Sequence, residues 1–127
     1  VFESAKDYIQ STLGIVRHYL VTHRDKQSTL EKLSKASLDR CFETIITKDD
    51  GFPEKPNPES FISIIRKSGV PREFFYCVGD RNLDVEAGRN AGIKAIFFSA
   101  DGEVKEKANF NISNHNQLEE ILKGNKA

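Results

Sequence analysis

The 127-residue sequence predicts an α/β fold with a Rossmann-like parallel sheet and helices on both faces. Short continuous apolar runs alternate four times with segments whose apolar residues recur at helical spacing. Strands of parallel sheets are typically continuous apolar runs, because helices cover both faces of such sheets. The sequence shows no internal repeat and no obvious linker, so we expect a single domain over residues 1–127.

The first half of the chain predicts two helices and two strands. Each helix has an apolar face, and each strand is a run rich in β-branched or aromatic residues. The predicted elements are a helix over 1–13, a strand over 18–22, a helix over 25–33 and a strand over 42–47. The residues expected to face inward from the two helices are Phe2, Ala5, Ile9, Leu13, Leu30 and Leu33.

The second half begins with a strong helix start at Asn57, Pro58 and Glu59. Asn caps a helix, Pro suits the first helical position, and Glu complements the positive end of the helix dipole. We expect this helix to end at Gly69. The remaining predictions are a strand over 74–78, a helix over 83–91 ended by Gly92, a strand over 94–99, an edge strand over 110–112, a helix over 117–123, and fraying over 123–127.

Composition excludes several classes of function. The chain carries 19 basic and 19 acidic residues, and without a basic stripe nucleic acid is not expected as a partner. No apolar run approaches the length of a membrane span. Cys41 and Cys77 have no metal-ligand spacing with each other or with the three histidines, so we expect two free, buried thiols and a cytoplasmic location.

Polar residues follow the predicted strands at the points where each strand ends. Thr22 and His23 follow the first strand, and Lys55 lies in the loop after the second. Asp80 follows the third strand, and Asp84 lies one helical turn later. Because ligands bind outside the carboxyl ends of strands in open parallel sheets, we expect these side chains to face one crevice.

The two carboxylates of Asp80 and Asp84 suggest a cation. At about 4 Å apart they would repel by roughly 4 kcal/mol at an effective dielectric of about 20. A divalent cation relieves this repulsion, and hard oxygen ligands suit Mg²⁺, which usually binds one or two carboxylates together with a substrate phosphate. The alternative is that Asp80 only caps the following helix while Asp84 lies in a solvated first turn.

Each of the other candidates also has an ordinary structural alternative. Lys55 lies before Pro56 in a loop that prolines stiffen, and a stiff loop can direct an ammonium group at a phosphate. Taken alone, Lys55 could equally be a solvated surface residue. Thr22 could simply end a strand, His23 could be an ordinary loop histidine, and Asp49 and Asp50 are typical of a turn before Gly51.

Taken together, these residues resemble a known family. Thr22 after YLV, Lys55 in EKPNPESF, and Gly79, Asp80 and Asp84 in VGDRNLDVEAGRNAG resemble motifs two, three and four of the haloacid dehalogenase superfamily. The order and the spacings of 33, 25 and 4 residues are similar to those of its phosphoglycolate phosphatase-like branch. The resemblance covers nearly the whole chain and implies a Mg²⁺-dependent hydrolase of small phosphorylated metabolites.

The resemblance also implies a role for each residue. Thr22 would hold the transferred phosphoryl group. His23 is not part of the resemblance, but from its position beside Thr22 we expect it to shape the phosphate pocket. Lys55 would neutralise the phosphoryl group and the attacking carboxylate. Asp80 would bind Mg²⁺, and Asp84 would support that metal site directly or through water. Electrostatic stabilisation of this kind is most of what phosphoryl transfer requires.

One motif of the family is absent. The family's nucleophile lies in an Asp-x-Asp motif near the N-terminus, and no two aspartates of this sequence are separated by a single residue. We therefore expect a truncated chain, the C-terminal portion of a phosphatase without its first strand and cap domain, and inactive alone. The exposed sheet would be covered by a missing N-terminal segment or by self-association.

A second interpretation is a non-catalytic remnant of the fold that binds phosphate or Mg²⁺ and regulates another protein. The absent nucleophile and the start at Val1 motivate it. A receiver domain, another doubly wound fold, carries its acidic residues before its Thr and Lys. Here the order is Thr, Lys, Asp, so a receiver domain is set aside.

Overall fold

The computed structural model describes residues 2–124 and contains five α-helices and five β-strands. The helices are α1 (Glu3–Ser11), α2 (Lys26–Lys35), α3 (Glu59–Ser68), α4 (Asn82–Asn90) and α5 (Leu118–Lys123). The strands are β1 (Tyr19–Val21), β2 (Thr44–Ile46), β3 (Tyr76–Gly79), β4 (Lys94–Phe98) and β5 (Phe110–Ile112). Every predicted helix and strand is present, and most bounds shift by one to three residues. The predicted fraying is wrong at Lys123, which belongs to α5, and residues 125–127 of the predicted tail lie outside the described part of the chain.

All strand pairing is parallel, as predicted, but it forms two sheets. β1 pairs with β2, and β3, β4 and β5 form the second sheet in that order. Contacts divide the chain into two compact units, Val1–Phe52 and Pro53–Ala127. A single domain over 1–127 therefore stays a prediction. Among residues 2–124, no helix has both the length and the apolar character needed to cross a membrane.

The first unit has a small core contributed by both helices and by β2. Tyr8, Leu33, Leu38 and Ile46 are buried. The inward positions predicted for Phe2, Leu13 and Leu30 are wrong, because all three are more than a third exposed. Phe2 and Leu13 lie outside the ends of α1, and the buried face of α2 instead passes through Thr29 and Leu33, which are one turn apart.

His18, just before β1, is expected to make the stability of the first unit depend on pH. The Thr12 hydroxyl donates its single hydrogen to the carbonyl of Tyr8 at 2.7 Å, so it accepts from Nε2 of His18 at 2.8 Å. Burial lowers the pKa of His18 below its ordinary value of 6.5. The unfolded chain therefore takes up this proton more readily than the folded chain does.

We expect the stability contributed by neutral His18 to be present above about pH 6.5 and lost as the pH falls through its lowered pKa. Urea unfolding of the wild type and of His18→Gln at pH 7.5 and pH 5.5 measures this effect. The variant should lose less stability than the wild type between the two pH values. An identical loss in both proteins would contradict the prediction.

Capping residues set the ends of α3 in the second unit. The side chain of Asn57 accepts a hydrogen bond from the Glu59 N–H at 2.9 Å, and Pro58 is the N-cap residue. The start thus lies one residue later than predicted. Gly69 ends the helix in the left-handed conformation, φ 72°, as expected. Gly92, φ 77°, likewise follows the end of α4.

β4 is the buried centre of the second sheet. Ala95 and Phe97 face α4 and pack with Val85, whereas Phe98 points to the opposite face and stacks on His115. α4 approaches the sheet closely at Gly88, where a Cβ would lie 2.2 Å from the sulfur of Cys77. Helical or turn residues therefore cover β4 on both faces.

β3 lies at one edge of its sheet. It pairs with β4, and among residues 2–124 no strand pairs with its other edge. Val78, in the middle of β3, is 41% exposed. This is consistent with the expected apolar surface on the sheet, while the covering segment or self-association stays a prediction.

Candidate functional site

The candidate site of the second unit forms where β3 ends and α4 begins. Register pairs Gly79 at the end of β3 with Phe97 near the end of β4. Asp80 follows directly, and α4 starts two residues later at Asn82, so Asp84 lies in its first turn. Lys55 comes from the loop before α3. The carboxyl end of β3 therefore carries Asp80 and Asp84, as predicted.

The central contact of this site is an ion pair between Lys55 and Asp84. Nζ of Lys55 donates to Oδ1 of Asp84 at 2.6 Å, and the two side chains are only 8% and 10% exposed. Nζ also lies 5.9 Å from the centre of the Phe61 ring. Lys55 is therefore not a solvated surface residue, and Asp84 does not lie in a solvated turn.

The second oxygen of Asp84 is held by the start of α4. Oδ2 accepts a hydrogen bond from the Arg81 N–H at 3.2 Å, and the Arg81 guanidinium nitrogen Nε is 3.9 Å away. Asp84, three residues into the helix, thus satisfies an amide that the helix leaves unpaired. Each oxygen has a cationic or amide partner, so the carboxylate is fixed in one orientation.

Gly79 permits this arrangement. A Cβ at position 79 would lie 2.2 Å from the Cβ of Asp84 and 2.4 Å from its Oδ2. Such separations are far inside van der Waals contact, so any larger residue would displace Asp84 or the start of α4. Glycine is therefore required here because the backbone and a buried carboxylate approach each other closely.

Asp80 differs from Asp84 in its surroundings. It is exposed, and the N-cap position of α4 is occupied by Arg81 rather than by Asp80. The alternative that Asp80 merely caps the helix is therefore wrong. Burial lowers the pKa of His115, and the charge of the Asp80 carboxylate raises it in part. Sequence reasoning did not single out His115, because it is distant along the chain from Asp80 and forms no motif with it.

The side chains at the carboxyl end of β3 fit Mg²⁺ better than a metal ion that needs several protein ligands. Within residues 2–124 no cluster of three or more His, Cys, Asp or Glu side chains could hold an ion. Mg²⁺ is commonly bound by one or two carboxylates, waters and a substrate phosphate. Asp80 is suited to bind such an ion directly. A Mg²⁺ ion on Asp84 about 4 Å from the Lys55 ammonium would be repelled by roughly 8 kcal/mol at a dielectric of about 20.

Thr22 and His23 lie in the first unit, directly after β1. The N–H of Thr22 donates to the carbonyl of Ile46 at 2.9 Å and extends the pairing with β2. Its Oγ1 accepts from the Arg24 N–H at 3.2 Å, which fits a threonine ending a strand and leaves the hydroxyl hydrogen to donate elsewhere. His23 is half-buried. Their roles toward phosphate stay predictions.

The remaining polar candidates are structural. Asp49 and Asp50 lie in a short 3₁₀ turn, Lys48–Asp50, where Asp50 accepts from the N–H of Thr47 at 2.8 Å. Gly51 closes the turn with φ 76°, as expected. Both cysteines are free but only partly buried, not fully as predicted. Burial, together with the charge of Asp84, raises the pKa of Cys77 to about 12, so this thiol stays protonated.

Comparison with known proteins identifies relatives of this chain. A family model described as haloacid dehalogenase-like hydrolase matches residues 8–98. Pyrophosphatase PpaX of Halalkalibacterium halodurans is 33% identical over 75 residues, which cover 59% of this chain and 35% of the relative. Glyceraldehyde 3-phosphate phosphatase of Pyrococcus furiosus is 30% identical over 110 residues, covering 81% of this chain and 46% of the relative.

A solved structure extends the likeness to the fold. YfnB of Bacillus subtilis, whose structure holds magnesium, matches with a TM-score of 0.85 and 22% identity over 96% of this chain and 55% of its own. At this identity the likeness shows the fold alone. The chain spans between about a third and a half of the length of the two curated relatives above. The family match covers most of the chain and confirms the resemblance seen in the sequence: the chain belongs to the haloacid dehalogenase-like hydrolases.

Proposed function

We propose that this chain supplies the phosphate-binding lysine and the Mg²⁺-binding carboxylate of a phosphatase that acts on small phosphorylated metabolites. The buried ion pair between Lys55 and Asp84 carries the proposal. Burying two charges costs free energy that a merely structural contact rarely recovers, so such pairs are expected where their charge is used. Relatives named as a pyrophosphatase and as a glyceraldehyde 3-phosphate phosphatase support the substrate class.

In this proposal Asp84 acts by orienting Lys55. The carboxylate holds the ammonium group at the carboxyl end of β3, where it stabilises negative charge on a bound phosphoryl group. Lys55 needs no conformational change to do so, because the ion pair already fixes it. Asp84 thus acts as a support for the site, and direct metal binding falls to Asp80.

Asp80 would hold the metal through its exposed carboxylate. A bound Mg²⁺ ion would neutralise phosphate charge and orient the substrate oxygens. Thr22, in the first unit, would donate its hydroxyl hydrogen to a phosphoryl oxygen, and His23 would lie beside it. The role of Thr22 rests on the family resemblance, and that of His23 rests on its position beside Thr22 after β1.

The nucleophile would come from outside these 127 residues. No Asp-x-Asp motif occurs among them, so we propose that the chain works as part of a longer protein and does not hydrolyse phosphate esters alone. A cytoplasmic location belongs to the same proposal and is supported by the two free cysteines.

Asp80→Asn tests the proposal in the longer protein. The variant keeps the shape of the side chain but loses the charge that binds a cation, so we expect kcat/KM for small phosphate esters to fall by at least 100-fold. Asp39→Asn, another exposed aspartate, is the matched control and should keep the wild-type rate. An Asp80→Asn enzyme with an undiminished rate would refute the metal role.

If the longer protein had no phosphatase activity at all, the regulatory interpretation would remain. The chain would then bind phosphate or Mg²⁺ without turning a substrate over. Calorimetry with inorganic phosphate on the wild type and on Lys55→Met separates these outcomes. Lys55-dependent phosphate binding without turnover would favour the regulatory remnant over the enzyme.

A further inference from the structure

The loop that carries Lys55 is tied to α4 at a second point. Nδ2 of Asn90 donates a hydrogen bond to the carbonyl of Pro56, the residue after Lys55, at 3.0 Å. A carbonyl can only accept, so the amide nitrogen of Asn90 is the atom that faces it. Asn90 is exposed and takes no part in the hydrophobic core. The proposed mechanism does not use this contact.

The two contacts of the loop lie at opposite ends of α4. The Lys55 ammonium pairs with Asp84 in the first turn of the helix, whereas Asn90, which holds the Pro56 carbonyl, is its last residue. Roughly 9 Å of helix axis separates Asp84 from Asn90, at about 1.5 Å per residue. The side chain of Lys55 therefore runs along α4, from the end of the helix toward its start.

A turn holds the backbone between these two contacts. Lys55 and Pro56 are its central residues, and the N–H of Asn57 closes it by donating to the carbonyl of Glu54 at 3.0 Å. This closing hydrogen bond uses the Glu54 carbonyl, so the Pro56 carbonyl is available to the amide of Asn90. The Asn90 contact therefore fixes the turn as a unit against α4.

We propose that Asn90 is a positioning residue, whose amide holds the Pro56 carbonyl and so keeps the Lys55 ammonium at the carboxyl end of β3. This inference rests on the proposed function, because it names a group that orients the proposed phosphate-binding lysine. The ion pair fixes the ammonium group, and the Asn90 contact fixes the backbone from which the side chain extends. Ordering both before phosphate binds lowers the entropic cost of binding.

Two substitutions at position 90 separate positioning from helix stability. Asn90→Ala removes the donor, and α4 should persist because alanine is the better helix former. Asn90→Gln keeps an amide that can still donate to the Pro56 carbonyl. Gln10→Ala is the matched control, because Gln10 is another exposed residue near the end of a helix, and its amide donates to the Ser37 carbonyl at 3.3 Å in the first unit.

The probe is inorganic phosphate, and its dissociation constant is measured by calorimetry on this chain. A neutral hydrogen bond of this kind changes an equilibrium constant by a few-fold to about tenfold. We therefore expect the dissociation constant to rise about threefold to tenfold in Asn90→Ala, to recover in part in Asn90→Gln, and to stay unchanged in Gln10→Ala. A contact that served stability alone would lower the thermal midpoint of Asn90→Ala and leave its phosphate affinity at the wild-type value.

The double variant Lys55→Met/Asp84→Asn distinguishes the inference from the proposed function, because it removes the lysine without leaving a buried unpaired charge. Wild-type phosphate affinity in Asn90→Ala, with binding lost in the double variant, would overturn the positioning role alone. Wild-type affinity in the double variant, or no phosphate binding by the unmodified chain, would overturn the phosphate-binding role of Lys55 and the inference with it. Weaker binding in Asn90→Ala, partial recovery in Asn90→Gln and loss in the double variant would support both.

Discussion

Replacing Lys55 with Met is expected to lower the free energy of unfolding of this chain by about 3–5 kcal/mol. The substitution leaves the Asp84 carboxylate, whose side chain is 10% exposed, without the ammonium group that contacts it at 2.6 Å. An unpaired charge in such surroundings costs far more than the loss of a surface ion pair, which is typically below about 1 kcal/mol. Urea unfolding at neutral pH measures the difference.

The double variant Lys55→Met/Asp84→Asn shows whether buried charge is the cause. Removing the charge of Asp84 as well should recover part of the lost stability, because Asn can still accept from the Arg81 N–H. Arg17→Met is the surface control, since Arg17 pairs with Glu43 in an exposed ion pair and its loss should cost little. Additive losses at Lys55 and Asp84 would contradict the coupling.

Gly88→Ala is expected to destabilise the chain by about 1–3 kcal/mol through overpacking. In an ordinary helix interior the same change stabilises by about 0.5–1 kcal/mol, because glycine loses more backbone entropy on folding. Here the new Cβ would lie 2.2 Å from the sulfur of Cys77 and 3.3 Å from the Cβ of Ala95. The steric cost should therefore exceed the gain in helix propensity, which thermal or urea unfolding would show as a lower midpoint.

Cys77→Ala provides the matched rescue. Alone it should destabilise by leaving a cavity beneath α4, whereas combined with Gly88→Ala it should be more stable than either single variant. Gly124→Ala is the control for the substitution itself, because its nearest neighbour is 3.5 Å away and its φ of −68° suits alanine. A Gly88→Ala chain more stable than wild type would show that α4 can move away from β3.

Local patterns predicted the elements well, because each element carries its own signals. The strand over 110–112 has the predicted bounds, and the glycines at 69 and 92 follow their helices in the left-handed conformation. The inward position of Leu30 was wrong, because helical spacing alone permits several apolar faces and the neighbouring elements select one. Pairing into two separate sheets also depends on contacts between distant segments, which apolar runs do not encode.

Residue type and order indicated which residues to consider for a site, but the contacts between these residues come only from the structure. The sequence grouped Asp80 with Asp84 as a pair of metal-binding carboxylates. The structure instead pairs Asp84 with Lys55, 29 residues away, and leaves Asp80 exposed. Which of the two carboxylates is buried depends on the direction in which the backbone points each side chain. Gly79 leaves the space that the inward-pointing side chain of Asp84 occupies. No spacing rule for charged residues carries that information.

The close approach at Gly79 has an evolutionary consequence. Every single-base change of a glycine codon that alters the residue introduces a Cβ, and the space for that atom is already taken by Asp84. Selection at position 79 would therefore act on side-chain volume rather than on chemical character, and no single-base substitution that changes this residue would be neutral. A lineage that abandoned catalysis but kept the buried Lys55–Asp84 pair for stability would still retain this glycine.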